Sequence, residues 1–202
     1  MNLMRLGFLV SGRGSNMQAI INACNAGDLM ADPVVVISNN AESGALNMAR
    51  NRKIPAYHLS SKTHPDPDQL DKVITETLHN YQVDLVVLAG YMKLVGPALL
   101  KQYKNRIINI HPSLLPGHGG KGMYGMNVHK AVIEAGEKET GATVHLVNSN
   151  YDEGLILAQR KVNVATTDSA ESLAGRVLEV EHRLYIEVLQ DIVSGKLVLP
   201  RS

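Results

Sequence analysis

The sequence predicts an α/β protein with an open, mostly parallel, Rossmann-like sheet, helices on both faces, and antiparallel strands added near the C-terminus. Short apolar or β-branched runs alternate with longer segments of mixed polarity from the start of the chain. These runs are nearly unbroken, as is typical of parallel strands covered on both faces. Two later runs alternate polar and apolar residues around a short turn-forming segment, which indicates a hairpin.

The predicted elements follow this alternation in chain order. Strands are predicted at 5–10, 33–38, 56–59, 84–89, 106–110, 141–148 and 155–164. Helices are predicted at 16–26, 43–52, 67–81, 97–103, 128–135 and 169–194. The last helix is expected to begin with a capping box formed by Asp168 and Glu171. Residues 117–125 are too rich in glycine for regular structure and are predicted to form a loop.

Composition limits the classes of partner. The 202 residues suit one domain, and 20 basic against 19 acidic residues give a formal charge of +1. The chain as a whole is therefore not expected to bind nucleic acid or an anionic membrane. Cys24 is the single cysteine, so a disulfide within the chain is excluded, and the apolar run 6–10 is too short for a secretory core. We expect a cytoplasmic protein.

Residues 11–16 form a glycine-containing turn between the first strand and the first helix. Main-chain N–H groups and the helix N-terminus attract an anion at such a turn. Met17 occupies the third glycine position of a dinucleotide fingerprint, and the second strand ends in Ser38-Asn39-Asn40 without an acidic residue. A Walker lysine motif is also missing. These features favour a phosphate monoester, although glycine is common in this turn without any ligand.

Asn109 and His111 end the fifth predicted strand two residues apart, so they should share one face. An amide donor beside a titratable base suits a carbonyl that acquires negative charge while a nucleophile loses a proton. The alternative is a polar strand end with a half-buried histidine. Asp152 lies between the last two strands, where a carboxylate could orient His111 and favour its protonated form, or could simply belong to a turn.

No metal site is predicted. Four further histidines could suggest a metal, but they lack the close spacing of a metal motif, and they are His118, His129, His145 and His182. His145 is interpreted as a hydrogen-bonded residue at the margin of the core. No G-x-S-x-G motif indicates a hydrolytic serine.

Five segments together resemble the glycinamide ribonucleotide formyltransferase family, and they are 11–16 (SGRGSN), 88–92 (LAGYM), 109–116 (NIHPSLLP), 141–145 (GATVH) and 151–154 (YDEG). The resemblance implies transfer of a formyl group from 10-formyltetrahydrofolate, as cosubstrate, to the amine of glycinamide ribonucleotide in purine synthesis. It implies one formyltransferase domain over 1–202, with a phosphate-substrate half at 1–110 and a folate-binding and catalytic-loop half at 111–202. The expected partners are small-molecule substrates, and the protein is expected to be a monomer or weak homodimer.

The resemblance also assigns roles by position. Asn109, His111 and Asp152 become the catalytic residues, with Asp152 keeping His111 charged, and no metal or covalent intermediate is implied. By this resemblance, Gly14, Ser15 and Asn16 bind the substrate phosphate and Glu181 binds the ribose. Without the resemblance, Glu181 is interpreted as an ordinary exposed acidic residue of a helix. The residues that the resemblance assigns to folate binding are Tyr91, Met92, Lys93, Leu94, Val95, Asn109, Val147 and Asp152. Tyr91 and Met92 read alone are ordinary packing residues.

Two segments depart from the pattern of some family members. The loop 117–126 is longer and richer in glycine. Residues 65–68 lack a basic residue that some members carry near the folate tail, so the anchor of that tail is left open, with Lys62 as a candidate. Three rival functions remain. The first is a formyltetrahydrofolate hydrolase, which usually has an additional N-terminal domain. The second is a methionyl-tRNA formyltransferase, which should have an additional C-terminal domain and a basic face. The third is a noncatalytic phosphate-ligand or folate-binding module, which would bind its ligand without transferring a formyl group.

Overall fold

A computed structural model describes residues 3–201, which form seven strands and six helices in the predicted order. The strands are β1 (Met4–Val10), β2 (Ala31–Ser38), β3 (Ala56–His58), β4 (Leu85–Leu88), β5 (Ile107–His111), β6 (Glu139–Leu146) and β7 (Ile156–Asn163). The helices are α1 (Ser15–Ala26), α2 (Gly44–Asn51), α3 (Pro67–Asn80), α4 (Pro97–Gln102), α5 (Met126–Glu134) and α6 (Ala170–Val193). Each boundary lies within two residues of its predicted position, so the predicted elements are confirmed.

The strands form one sheet in the order β3-β2-β1-β4-β5-β6-β7. All neighbours from β3 to β5 are parallel, whereas β6 is antiparallel to β5 and β7 to β6. This confirms the mostly parallel sheet with an antiparallel addition. The strand order reverses between β1 and β4, and ligands of open α/β sheets bind at such a switch point, outside the carboxyl ends of the strands.

Hydrophobic cores lie on both faces of the sheet. Leu6, Phe8 and Val10 of β1 are fully buried on the face that α1, α2 and α6 cover, whereas Leu9 is fully buried on the face that α3 and α4 cover. Successive strand residues point to opposite faces, so an unbroken apolar strand supplies both cores. The prediction of helices on both faces is confirmed.

The predicted capping box of α6 was wrong by one residue. The N-cap is Ser169, whose hydroxyl accepts from the Ser172 N–H at 3.2 Å, while the Ser172 hydroxyl accepts from the Ser169 N–H at 3.0 Å. Asp168 instead accepts from the main chain of the preceding turn and pairs with Arg176. Ser172 replaces the usual Glu or Gln at the third helical position, so the capping-box sequence pattern did not identify Ser169 as the N-cap.

The predicted glycine-rich loop is also confirmed, because residues 117–125 contain no helix or strand. In the antiparallel pair that follows, Asn109 of β5 lies directly opposite His145 of β6.

Within residues 3–201, no helix combines the length and the apolar character needed to cross a membrane.

Candidate active site

The glycine turn after β1 leaves the N-terminus of α1 open. Gly14 is the N-cap, has a φ of 78° and provides no side chain to cap the first N–H groups. A Cβ at this position would lie 2.7 Å from the Cβ of Ala45 on α2. Only glycine therefore allows this conformation together with this close approach. A helix N-terminus of this kind can attract an anion through its main-chain N–H groups and the positive end of the helix dipole.

Asn16 and Glu181 form a buried pair beside this helix end. The Asn16 Nδ2 donates to Glu181 Oε2 at 2.7 Å, and Glu181 is only 7% exposed. Burial raises the pKa of the Glu181 carboxyl to about 7, although the hydrogen bond from Asn16 acts in the opposite direction. Asn16 Oδ1 is buried and has no hydrogen-bond partner among residues 3–201. The interpretation of Glu181 as an exposed helical acid was therefore wrong.

The helical period gives the reason for that burial. Val177, Leu184 and Val188 are buried on α6, and Glu181 falls on the same face at helical spacing. This periodic pattern was visible in the sequence. It could have placed the carboxyl inside the protein without any resemblance to a family.

Asp152 lies between two imidazoles at the carboxyl end of the sheet. Its Oδ2 is 3.4 Å from His111 Nδ1, and its Oδ1 is 3.6 Å from His145 Nε2. The Asn109 Nδ2 donates to the same His145 nitrogen at 3.1 Å, while His145 Nδ1 donates to the Leu146 carbonyl at 2.8 Å. An amide nitrogen carries two protons, so Asn109 retains one further donor. The structure thus brings the three predicted residues Asn109, His111 and Asp152 together.

The glycine-rich loop contributes main-chain contacts to the same group. His111 Nε2 donates to the His118 carbonyl at 2.8 Å, and the Gly120 N–H donates to Asp152 Oδ2 at 3.0 Å. Because Nε2 is committed to a carbonyl, the proton that His111 can gain or lose is the one on Nδ1, the nitrogen nearest Asp152.

Burial and charge act against each other in this cluster. Burial lowers the pKa of His111, and it outweighs the opposing effects of the Asp152 charge and the His118 carbonyl. Burial alone would raise the pKa of Asp152, but the contacts with His145, His111 and the Gly120 N–H lower it overall. Near neutral pH the carboxylate is ionised and His111 is largely neutral. The expectation that Asp152 keeps His111 protonated was therefore wrong in its net effect, although Asp152 acts in that direction.

A cavity of about 590 Å³ connects these groups. All predicted site residues except Gly14 line this cavity, and they are Ser15, Asn16, Tyr91, Met92, Lys93, Leu94, Val95, Asn109, His111, Val147, Asp152 and Glu181. Met92 and Leu94 are each 50% exposed, so the segment 91–95 presents apolar side chains to the opening. The start of α1 and the His111–Asp152 pair thus line one crevice.

A second cavity of about 730 Å³ lies on the other side of the segment 91–95. Lys62 and Lys93 both line it, together with Asp68 from the segment that lacks a basic residue. Lys93 also lines the first cavity. The second cavity therefore has two cationic side chains in its lining, and Lys93 is common to both cavities.

Sequence reasoning missed two histidines of the site. His145 is buried and hydrogen-bonded, as expected, but it also lies beside Asp152 and lines the cavity. The pairing of β5 with β6 places it there, and the register is a long-range property. His129 of α5 is also buried and lines the cavity, and burial lowers its pKa. In residues 3–201, no group of three or more His, Cys, Asp or Glu side chains is placed to hold a metal ion.

Known proteins are similar to this chain in sequence over nearly its whole length. The chain matches the family described as Formyl transferase over residues 4–189. It is 46% identical over 195 residues to a chloroplastic phosphoribosylglycinamide formyltransferase of Vigna unguiculata, covering 96% of this chain and 62% of that protein. It is 39% identical over 197 residues to the phosphoribosylglycinamide formyltransferase of Haemophilus influenzae, covering 98% of this chain and 91% of that one.

A solved structure agrees with these relatives. The crystal structure of glycinamide ribonucleotide transformylase 1 from Symbiobacterium toebii superimposes with a TM-score of 0.91 at 40% identity, covering 98% of this chain and 92% of that chain. Fold and site together define an enzyme of the formyl transferase class. The chain belongs to the formyl transferase family and, within it, to the phosphoribosylglycinamide formyltransferases. It spans less than two thirds of the length of the plant relative.

Proposed function

We propose that the protein transfers a formyl group from 10-formyltetrahydrofolate to the amine of glycinamide ribonucleotide, a step of purine synthesis. One observation carries the proposal. Asn109 and His111 of β5 meet Asp152, from the loop between β6 and β7, in the cavity that the start of α1 also lines. A phosphate bound at that helix end would fix one end of the nucleotide, and its amine would then reach the catalytic group.

The N-terminus of α1 would hold the phosphate through the main-chain N–H groups of Ser15 and Asn16, with Gly14 shaping the turn. The side chain of Asn16 is committed to Glu181, so this pair would face the ribose hydroxyls. The unpartnered Asn16 Oδ1 would accept from one hydroxyl and thereby satisfy a buried acceptor. In this assignment, the start of α1 binds the phosphate, and α6 contributes Glu181 to the binding of the ribose.

The folate would occupy the cavity beside 91–95. Tyr91, Met92, Leu94 and Val95 supply apolar surface for a flat ring, and Val147 also lines this cavity. The acidic tail would run toward the second cavity, where Lys62 and Lys93 offer positive charge. We infer that these two lysines replace the basic residue that segment 65–68 lacks.

The chemistry follows from the charges that develop. The substrate amine has an ordinary pKa of about 8, so part of it is unprotonated near neutral pH. Its nitrogen attacks the formyl carbon, and the carbonyl electrons move to the oxygen. The remaining Asn109 N–H would stabilise that oxygen. Although His111 is largely neutral before the reaction, the developing negative charge would raise its pKa, so that His111 takes up a proton from solvent on Nδ1 and becomes a second donor.

Asp152 would complete the proton transfer. As an ionised carboxylate beside His111, it accepts the proton of the new ammonium, directly or through a water molecule. The proton passes to the folate nitrogen as its bond to the formyl carbon breaks. The products are the formylated amide and tetrahydrofolate, and no covalent enzyme intermediate is needed.

The test follows release of tetrahydrofolate from 10-formyltetrahydrofolate, with and without glycinamide ribonucleotide. Release that requires the amine supports the transferase. Release in water alone would instead identify a formyltetrahydrofolate hydrolase, and saturable binding without release would identify a noncatalytic module. Either of these results would overturn the proposal.

We further propose that the 202 residues act as one formyltransferase domain, with small molecules as its substrates. The phosphate site falls in residues 1–110 and the catalytic loop in 111–202. We infer a monomer or weak homodimer. We also infer a cytoplasmic location, since the single Cys24 allows no disulfide within the chain, as is usual in a reducing compartment.

A further inference from the structure

The segment 117–120 acts as a main-chain bracket around the catalytic pair. The carbonyl of His118 accepts from His111 Nε2, and the N–H of Gly120 donates to Asp152 Oδ2. One short piece of backbone therefore sets both the direction of the imidazole and the position of the carboxylate. A shift of this segment would disturb both groups together.

The bracket is closely fitted against its surroundings. A Cβ at Gly119 would lie 2.5 Å from the Leu115 side chain and 3.3 Å from the Cβ of Asp152. The carbonyl of Gly117 accepts from the buried Ser113 hydroxyl at 2.6 Å. These contacts leave the backbone little room on the inner side.

His118 itself has an unusual backbone conformation, with a φ of 53°. A non-glycine residue adopts this left-handed region at a cost of roughly 1 kcal/mol or more, so surrounding contacts must hold it there. One such contact is made by its own side chain. The His118 Nε2 donates to Glu137 Oε1 at 3.2 Å, and Glu137 belongs to the connection between α5 and β6.

We propose that Glu137 is a positioning residue for the reaction. It holds the His118 side chain from outside the cavity, so that the His118 carbonyl and the Gly120 N–H keep His111 and Asp152 in place. Glu137 itself touches none of the reacting atoms in this arrangement. The kinetic consequence rests on the proposed formyl transfer, whereas the structural consequence for His111 does not.

Removal of the Glu137 side chain should have a moderate effect on the reaction, because the hydrogen-bonded pair of Glu137 with His118 is partly exposed to water. The Glu137 side chain is 48% exposed and that of His118 is 19% exposed, and exposed pairs contribute little to stability. Glu137→Ala should lower kcat about fivefold and leave KM for glycinamide ribonucleotide within twofold of wild type. The thermal midpoint should stay within about 1 °C. Glu137→Gln keeps an acceptor for the His118 N–H and should restore most of kcat.

The experiment combines kinetics with NMR of the histidine side chains. Proteins labelled with ¹⁵N on the imidazole rings are compared as wild type, Glu137→Ala and Glu137→Gln, and the His111 signal is assigned from its loss in His111→Gln. The control is Glu134→Ala, which removes another exposed acid near the end of α5. In wild type, His111 should show a proton held on Nε2. In Glu137→Ala this signal should move toward a mixture of the two tautomers.

A Glu137→Ala variant with wild-type kcat and an unchanged His111 signal would overturn the proposal. So would an equal loss of kcat in Glu134→Ala, because the effect would then come from surface charge alone. The NMR comparison requires no turnover. A failure of the proposed function would therefore leave the test of Glu137 intact.

Discussion

The Asp152 carboxylate lies 3.4 Å from Nδ1 of His111, with the Gly120 N–H donating to the same carboxylate oxygen. Asp152 has a φ of 57°, in the left-handed region that non-glycine residues rarely adopt. The pair joins the end of β5 to the loop between β6 and β7. A catalytic unit therefore depends on a contact between two separate parts of the chain.

Asp152→Asn should abolish the base while keeping the shape of the side chain. We expect kcat to fall about 10²- to 10³-fold, as is typical when one preorganised electrostatic group is lost, with KM for glycinamide ribonucleotide nearly unchanged. Steady-state kinetics at saturating folate would measure both. A near-normal kcat would contradict the role of Asp152.

Asn109→Ala and His111→Ala should each reduce kcat, since each removes a donor for the developing oxyanion, and a single donor is worth about 3 to 4 kcal/mol of barrier. The double variant should lose less than the sum of the two losses, because residues that act as one unit are not additive. Comparison of kcat for the four proteins measures the coupling. Fully additive losses would show that the two side chains act independently.

Gly14→Ala should weaken binding of the phosphate substrate, because the new Cβ would press on Ala45 and displace the start of α1. We expect KM for glycinamide ribonucleotide to rise about tenfold or more, with a smaller change in kcat. Gly27→Ala is the matched control. It has a similar φ of 80° at the other end of α1, but a Cβ there would meet nothing within 4 Å. Equal effects of the two substitutions on KM would argue against the anion site.

Glu181→Gln should stabilise the protein in a way that depends on pH. Burial raises the folded-state pKa of this carboxyl from 4.5 to about 7. The protonated carboxyl therefore makes its full contribution to the free energy of unfolding below about pH 4.5, and this contribution is lost as the pH rises to about 7. Above that range the folded protein contains a buried carboxylate, which glutamine avoids. The gain in unfolding free energy should therefore grow between pH 5 and pH 8, by on the order of 3 kcal/mol.

Urea unfolding of wild type and Glu181→Gln at the two pH values measures this gain. Glu179→Gln, which alters an exposed acid on the same helix, is the control and should give no such difference. A gain that is the same at both pH values would show that the carboxyl does not titrate in this range.

Much of the fold could be predicted because it is encoded locally. The alternation of apolar runs with amphipathic segments identified the seven strands and six helices of residues 3–201, and a spacing of two residues on β5 placed Asn109 and His111 in one cavity. The polar and apolar alternation near the C-terminus gave the antiparallel addition. These signals depend on neighbouring residues along one strand or helix.

The contacts that could not be predicted depend on distant parts of the chain. His145 reaches Asp152 because of the register between β5 and β6, and no local pattern specifies that register. Likewise, the bracket at 117–120 takes its position from main-chain hydrogen bonds to His111 and Asp152. The net pKa of His111 required a balance between burial and charge, and the sequence revealed only the charge.

The most direct test of the whole account follows the formyl carbon itself. Protein would be mixed with glycinamide ribonucleotide and 10-formyltetrahydrofolate labelled with ¹³C in the formyl group, and the label would be followed by NMR. We predict that the wild-type protein moves the label to the substrate amine as an amide, and that Asp152→Asn does so at least about a hundredfold more slowly. Label appearing only as free formate, or equal transfer by both proteins, would contradict the account.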